Sequence, residues 1–188
     1  MKSIREIYKI GKGPSSSHTM GPERAARLFL ERCPQADSFR VTLYGSLSKT
    51  GVGHGTDRVL RETLGEERTK IVFSRESWEG MHPNTMDFSA FAGDIEIGQL
   101  RVESIGGGDI RVPGQPEAGE SEEVYIEHSF AEIAYFCKWR YIHSLSEYVE
   151  LNEGPEIWDF LMEVWLVMKR AIDEGLSKTG VLPGGLNV

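Results

Sequence analysis

The feature that most restricts the fold of this 188-residue chain is a pair of strand-like runs, "MDFSAF" and "QLRVESI", set close enough for a hairpin. Strands this close pair antiparallel, whereas a parallel pair needs a crossover of about a dozen residues or more. Two further runs stand upstream. "SFRVTLYG" alternates, with Phe39, Val41 and Leu43 on one face, and "KIVF" follows later. Between them "SLSKTGVGHGTD" reads as a loop and "RVLRETLG" as a short helix ending at Gly65. Ahead of all the strands, Pro22 suits a first helical position, Ala25, Leu28, Phe29 and Cys33 recur at three- and four-residue spacing, and Pro34 stops the pattern. The order helix, strand, helix, three strands and then helices predicts an α+β fold, with a mixed sheet of about four strands layered with helices. A doubly wound sheet does not fit.

A hydrophobic content of 39% suffices for one core in a chain of this length, so a single domain is expected over 1–188. Its α+β core covers about 1–128. Within that, residues 106–123 turn to Gly, Pro and Glu and read as a mobile loop. A helical part follows over about 129–176. Ser129 with Glu132 and Ser144 with Glu147 have capping-box spacing, and Pro155 opens a helix whose Trp158, Phe160 and Trp165 are expected in the core. Residues 177–188, ending "LPGGLNV", read as the start of a linker to a missing domain.

The net charge of -8 is the wrong sign for a nucleic-acid or anionic-membrane surface. Two cysteines, Cys33 and Cys137, stand far apart with no metal-type spacing, which suits a reducing cytoplasmic home without a disulfide framework. The amino-terminal "MKSIREIYKI" lacks the apolar centre of a signal peptide, and no run reaches membrane-span length.

Two polar segments carry the chemistry. "PSSSHTMGP" leads into the first helix and "GVGHGTD" into the second, so each sets a histidine and hydroxyls beside helix-start amides, where an anion is favoured. The first lacks the Gly-Lys-Ser/Thr ending of a phosphate loop. Thr19, Thr56 and Asp57 read equally well as helix caps or as ligand groups. His54, held between Gly53 and Gly55 without bulky neighbours, reads as functional, because imidazole titrates near neutral pH and suits a general base. In "MHPNTM", His82 and Asn84 fit either a turn between strands or a binding role. "SIGGG" fits a strand-end bulge. His128 and His143 read as structural or exposed.

"KIGKGPSSSHTMGPERA", "YGSLSKTGVGHGTD", "HPNTM", "SIGGG" and "TGVLPGGLNV", in this order, resemble the N-terminal or β part of the iron-sulfur-dependent L-serine dehydratases. The resemblance covers about residues 9–188. It implies a fold similar to the allosteric substrate-binding domain of phosphoglycerate dehydrogenase. It also implies a partner, the α part, as a fused domain or separate subunit carrying a 4Fe-4S cluster on three cysteines, none of them in this chain. The implied activity is that of an L-serine ammonia-lyase, serving amino-acid degradation and gluconeogenesis: serine loses water to aminoacrylate, which ends as pyruvate and ammonia. The cluster iron would accept the leaving hydroxide. On the same resemblance His54 takes the α-proton, with His18 as runner-up. Ser15, Ser16, Ser17 and Thr19 hold the substrate carboxylate, Thr56 and Asp57 join them, and His82 and Asn84 wall the pocket or meet the α part. The chain alone is then inactive, and an uncovered apolar face favours a homodimer.

Two rivals differ in class. A stand-alone domain that binds a serine-like small molecule would bind serine without any α part. A zinc hydrolase on His18, His54 and His82 ranks last, because no two histidines have helical ligand spacing.

Overall fold

The computed structural model describes residues 1–115 and 123–181. Among these, residues 11–115 form one compact unit, and residues 1–10 with 123–181 form another.

The first of these is an α+β layer. Helix α1 (Met20–Arg32) leads to β1 (Ser38–Leu43), then α2 (Gly45–His54), α3 (Thr56–Leu64), β2 (Thr69–Phe73), β3 (Thr85–Ala92), β4 (Ile95–Gly106) and β5 (Asp109–Arg111). The strand order is β2-β1-β3-β4-β5. Only β1 and β2 run parallel, and α2 and α3 form the crossover between them; the other pairs are antiparallel. Alternation does the sorting. Phe39, Val41 and Leu43 of β1, Met86, Phe88 and Ala90 of β3, and Leu100 and Val102 of β4 are buried on one face with Ala25, Phe29 and Leu60 of the helices. The opposite face is polar, where Asp87 accepts both Nε–H and Nη2–H of Arg101 at 2.6 Å and the Tyr44 hydroxyl at 3.0 Å.

The structure differs from the sequence reading in three elements of this unit. The stretch read as a loop is helix α2 for residues 45–54. Its glycines give poor intrinsic propensity, but Leu47 is fully buried in the core and the left-handed Gly55 (φ 75°) closes the helix by donating to Gly51 and Val52 carbonyls. A fifth strand, β5, stands within the stretch read as a loop. At three residues it is too short to show a period, and it pairs with β4 across a register shift between Ser104 and Gly106, where the bulge was expected. Helix α1 begins at Met20, two residues ahead of Pro22. Residues 116–122 of the expected loop and 182–188 of the expected linker lie outside the described residues.

The other unit is helical, with a 3-10 turn (Ile4–Glu6), α4 (Phe130–Arg140), α5 (Leu145–Glu153) and α6 (Ile157–Ser177). Both capping boxes form. Ser129 Oγ accepts the Glu132 amide and Ser144 Oγ the Glu147 amide, while Glu132 and Glu147 accept the amides of His128 and His143. The amino terminus is tied in by Glu153, which accepts Ser3 Oγ–H, the Ile4 amide and the Tyr125 hydroxyl. The aromatic stripe of α6 is not core: only Ile157 and Val164 of that helix are buried, and Trp165 is 54% exposed. Two short helices, α4 and α5, supply too few opposing side chains to cover so broad a stripe. Among the described residues, no helix is long and apolar enough to cross a membrane.

Candidate functional site

Residues 15–19 form a turn that runs directly into α1. The amides of His18 and Thr19 donate to Ser15 O at 3.0 and 2.9 Å, and that of Gly21 donates to Ser16 O at 2.9 Å. The Thr19 hydroxyl, with one proton to give, faces two carbonyl acceptors, Ser15 O at 2.7 Å and Lys12 O. These bonds draw the turn tight and bury His18, which is 8% exposed. Its ring is met by hydroxyls at both nitrogens. Ser17 Oγ lies 3.0 Å and Ser15 Oγ 3.3 Å from Nδ1; Thr50 Oγ1 lies 3.0 Å and Ser46 Oγ 3.2 Å from Nε2.

His54 ends α2, and Gly55 hands the chain straight to α3. The sequence placed His54 in a loop at the amide end of the following helix; it lies instead at the carbonyl end of its own. Its Nδ1 stands 2.9 Å from Thr50 O. A carbonyl offers only lone pairs, so Nδ1 carries the proton and Nε2 is left basic. The His18 and His54 rings are 4.6 Å apart between centroids, tilted by 37°. Burial, and second a charge on His54, hold the His18 imidazole below its ordinary value, against the opposing effect of its contact with Ser46.

The third motif is joined to α2 by a close backbone approach. The Ser46 amide donates to Pro83 O at 2.6 Å. Gly45, at φ +54°, makes this possible, because a Cβ there would fall 2.4 Å from Pro83 O. His82 Nδ1 accepts the Asn84 amide at 3.2 Å, and His82 O accepts the Thr85 hydroxyl at 2.7 Å. Asn84 Nδ2 donates to Ser104 O at 3.3 Å. Ser104, in the fourth motif, is fully buried against α1, where a Cβ on Gly21 would fall 2.0 Å from its Oγ. Among the described residues, Ser104 Oγ and Asn84 Oδ1 are buried without a hydrogen-bond partner.

The fold thus brings Ser15, Ser17, His18 and His54 together. Thr19 and Thr56 stand behind them with their hydroxyls spent on backbone, Thr56 Oγ1 donating to His18 O at 2.7 Å. Asp57 is half-buried in the first turn of α3, and Ser16 is half-buried in the turn ahead of α1.

A family model described as Serine dehydratase beta chain matches residues 3–67, the segment that holds both histidines. L-serine dehydratase 1 of Escherichia coli (strain K12) is 32% identical over all of this chain and 52% of its own length. The chain is similar to serine dehydratase beta chains. Two further relatives are similar: the L-serine dehydratase of Streptomyces coelicolor is 30% identical over 99% of this chain and 52% of its own, and that of Helicobacter pylori (strain ATCC 700392 / 26695) is 29% identical over 99% and 51%. The chain spans about half the length of these curated relatives.

The residues of this chain do not fit an iron-sulfur cluster. Among those described, no group of three or more His, Cys, Asp or Glu could hold a metal, and the two cysteines fall in different units. Buried Cys33 packs against Gly98, where a Cβ would meet its Sγ at 2.5 Å.

Sequence reasoning missed Ser46, Thr50 and Ser104. The signal for the first two was present: Ser46, Thr50 and His54 recur at intervals of four, a single stripe once α2 is recognised as a helix.

Proposed function

We propose that the chain is the β part of an L-serine dehydratase, acting with a cluster-bearing α part to deaminate L-serine to pyruvate and ammonia in the cytoplasm. What supports this most directly is the pair of imidazoles from two distant motifs, 4.6 Å apart, in a chain similar to serine dehydratase beta chains. His54 Nε2 takes the α-proton. Loss of that proton and of the β-hydroxyl gives aminoacrylate and water; the enamine tautomerises to the imine, and water releases pyruvate and ammonia. The electrophile for the leaving hydroxide is assigned to the α part. His18, shielded from water, holds the polar lining in place beside the base, and Ser15, Ser16 and Ser17 bind polar groups of the substrate.

The test is His54→Asn and His54→Ala in the assembled enzyme. A positioned base contributes about 10²–10⁴-fold, so kcat should fall by roughly that factor while the cluster absorption of the α part stays intact. Near-normal turnover would refute the assignment. Tight serine binding by this chain without any α part would instead favour a free-standing serine-binding domain.

A further inference from the structure

The hydroxyls around His18 form a chain of hydrogen bonds that runs in one direction, and the direction can be worked out proton by proton. Thr50 Oγ1 donates its only proton to Ser46 O at 2.9 Å. It therefore has only lone pairs to offer His18 Nε2, 3.0 Å away, and Ser46 Oγ, 3.2 Å from the same nitrogen, can accept as well, so we assign the hydrogen to Nε2, which donates to Thr50 as the nearer acceptor. Burial and the neighbouring His54 keep His18 neutral, with one ring proton, so its Nδ1 is an acceptor. The nearest donor to Nδ1 is the Ser17 hydroxyl at 3.0 Å. With that proton committed, Ser15 Oγ, 3.3 Å from both Ser17 Oγ and His18 Nδ1, also points its proton inward.

We propose that Thr50 is a positioning residue that fixes the polarity of this chain, so that Ser15 and Ser17 present oxygen lone pairs outward and receive the α-ammonium of an amino-acid substrate. This rests on the dehydratase reading for its substrate, and it reverses the expected role of the serines as carboxylate donors. The backbone agrees. The amides of His18, Thr19 and Gly21, which would be the carboxylate cradle of this turn, are already spent on Ser15 and Ser16 carbonyls. Thr50 acts as acceptor toward both histidines and so fixes opposite tautomers: its hydroxyl accepts from His18 Nε2, and its carbonyl accepts from His54 Nδ1.

Imidazole ¹⁵N spectra of the full chain above the histidine titration read the tautomers directly. His18 should be protonated at Nε2 and His54 at Nδ1; the opposite tautomer at His18 overturns the proposal, whatever the chain catalyses. Thr50→Val removes the nearer acceptor at Nε2, leaving only Ser46 Oγ at 3.2 Å, and should change the His18 signature while leaving that of His54, and Thr50→Ser should restore it. A Thr50→Val chain with the wild-type His18 signature also overturns it. In the assembled enzyme, ethanolamine lacks the carboxylate and 3-hydroxypropionate lacks the amine. Ser15→Ala should weaken inhibition by ethanolamine about tenfold or more and leave that by 3-hydroxypropionate unchanged. The reverse pattern sinks the ammonium assignment, whereas an assembled enzyme without activity on serine refutes the dehydratase reading and leaves the tautomer result standing.

Discussion

Replacing Thr56 with valine should destabilise the α+β unit by removing one hydrogen bond that nothing else in α1 can make. In a helix His18 O would receive the amide of the residue four places on, but that residue is Pro22, which has no N–H. The Gly21 amide is taken by Ser16 O. The donor that remains is Thr56 Oγ1, at 2.7 Å and fully buried, reaching across from α3. Valine keeps the shape and loses the donor. A buried carbonyl left unpaired costs about 1–3 kcal/mol, and the extra methyl returns at most about 0.8 kcal/mol. The expected net loss is about 1.5 kcal/mol, or roughly 5–10 °C in Tm for a unit of this size.

Thermal and urea unfolding of the full chain, followed by circular dichroism, measures it, and Thr56→Ser should stay close to wild type. The sharper test is a double-mutant cycle. Pro22→Ala supplies the missing amide to His18 O, so in that background Thr56→Val should cost about 1 kcal/mol less. If Thr56→Val costs the same in both backgrounds, the hydroxyl is not standing in for the proline's missing donor and the reasoning fails.

Two other perturbations follow from the geometry. Gly45→Ala places a Cβ 2.4 Å from Pro83 O at a positive φ, so it should cost about 2 kcal/mol or more and break the Ser46–Pro83 bond; an unchanged urea midpoint would contradict the close approach. His18 has a folded-state pKa below its ordinary 6.5, so just below that pH the unfolded chain binds the proton first. Stability should therefore fall as pH drops below 6.5, and His18→Gln should flatten that limb of the curve relative to wild type. Parallel curves for the two proteins would show that His18 does not titrate this way.

Elements that carried their own period were legible in the sequence. β1, β3 and β4 alternate against a single buried face, and α3 repeats Thr56, Val59, Leu60 and Leu64 at helical spacing. α2 was hidden because its stability is borrowed: Leu47 in the core, Ser46 on Pro83 and Gly55 at its end hold a segment whose composition reads as coil. Hiding the helix also hid the stripe of Ser46, Thr50 and His54, so both histidines could be named from sequence but not the residue linking them. In α6 the pattern was read correctly as a stripe and wrongly as core, because periodicity reports which residues share a face and not whether anything covers it.

The density of hydroxyls around the two histidines invites the reading that all of them bind a ligand, and hydrogen-bond accounting argues otherwise. Thr19, Thr50 and Thr56 each donate to a backbone carbonyl, so their protons are spent on holding the turn, α2 and α3 in register. Ser17 gives its proton to His18. What remains for a substrate is the His54 Nε2 lone pair, the outward lone pairs of Ser15 and Ser17, and the hydroxyls of Ser16 and Ser46. Such a surface accepts protons and donates few. It can bind an ammonium and remove an α-proton, but it offers little to stabilise a departing hydroxide. In our reading the chain carries only the proton-accepting side of a β-elimination and the α part supplies the electron-accepting side, so catalysis depends on their assembly.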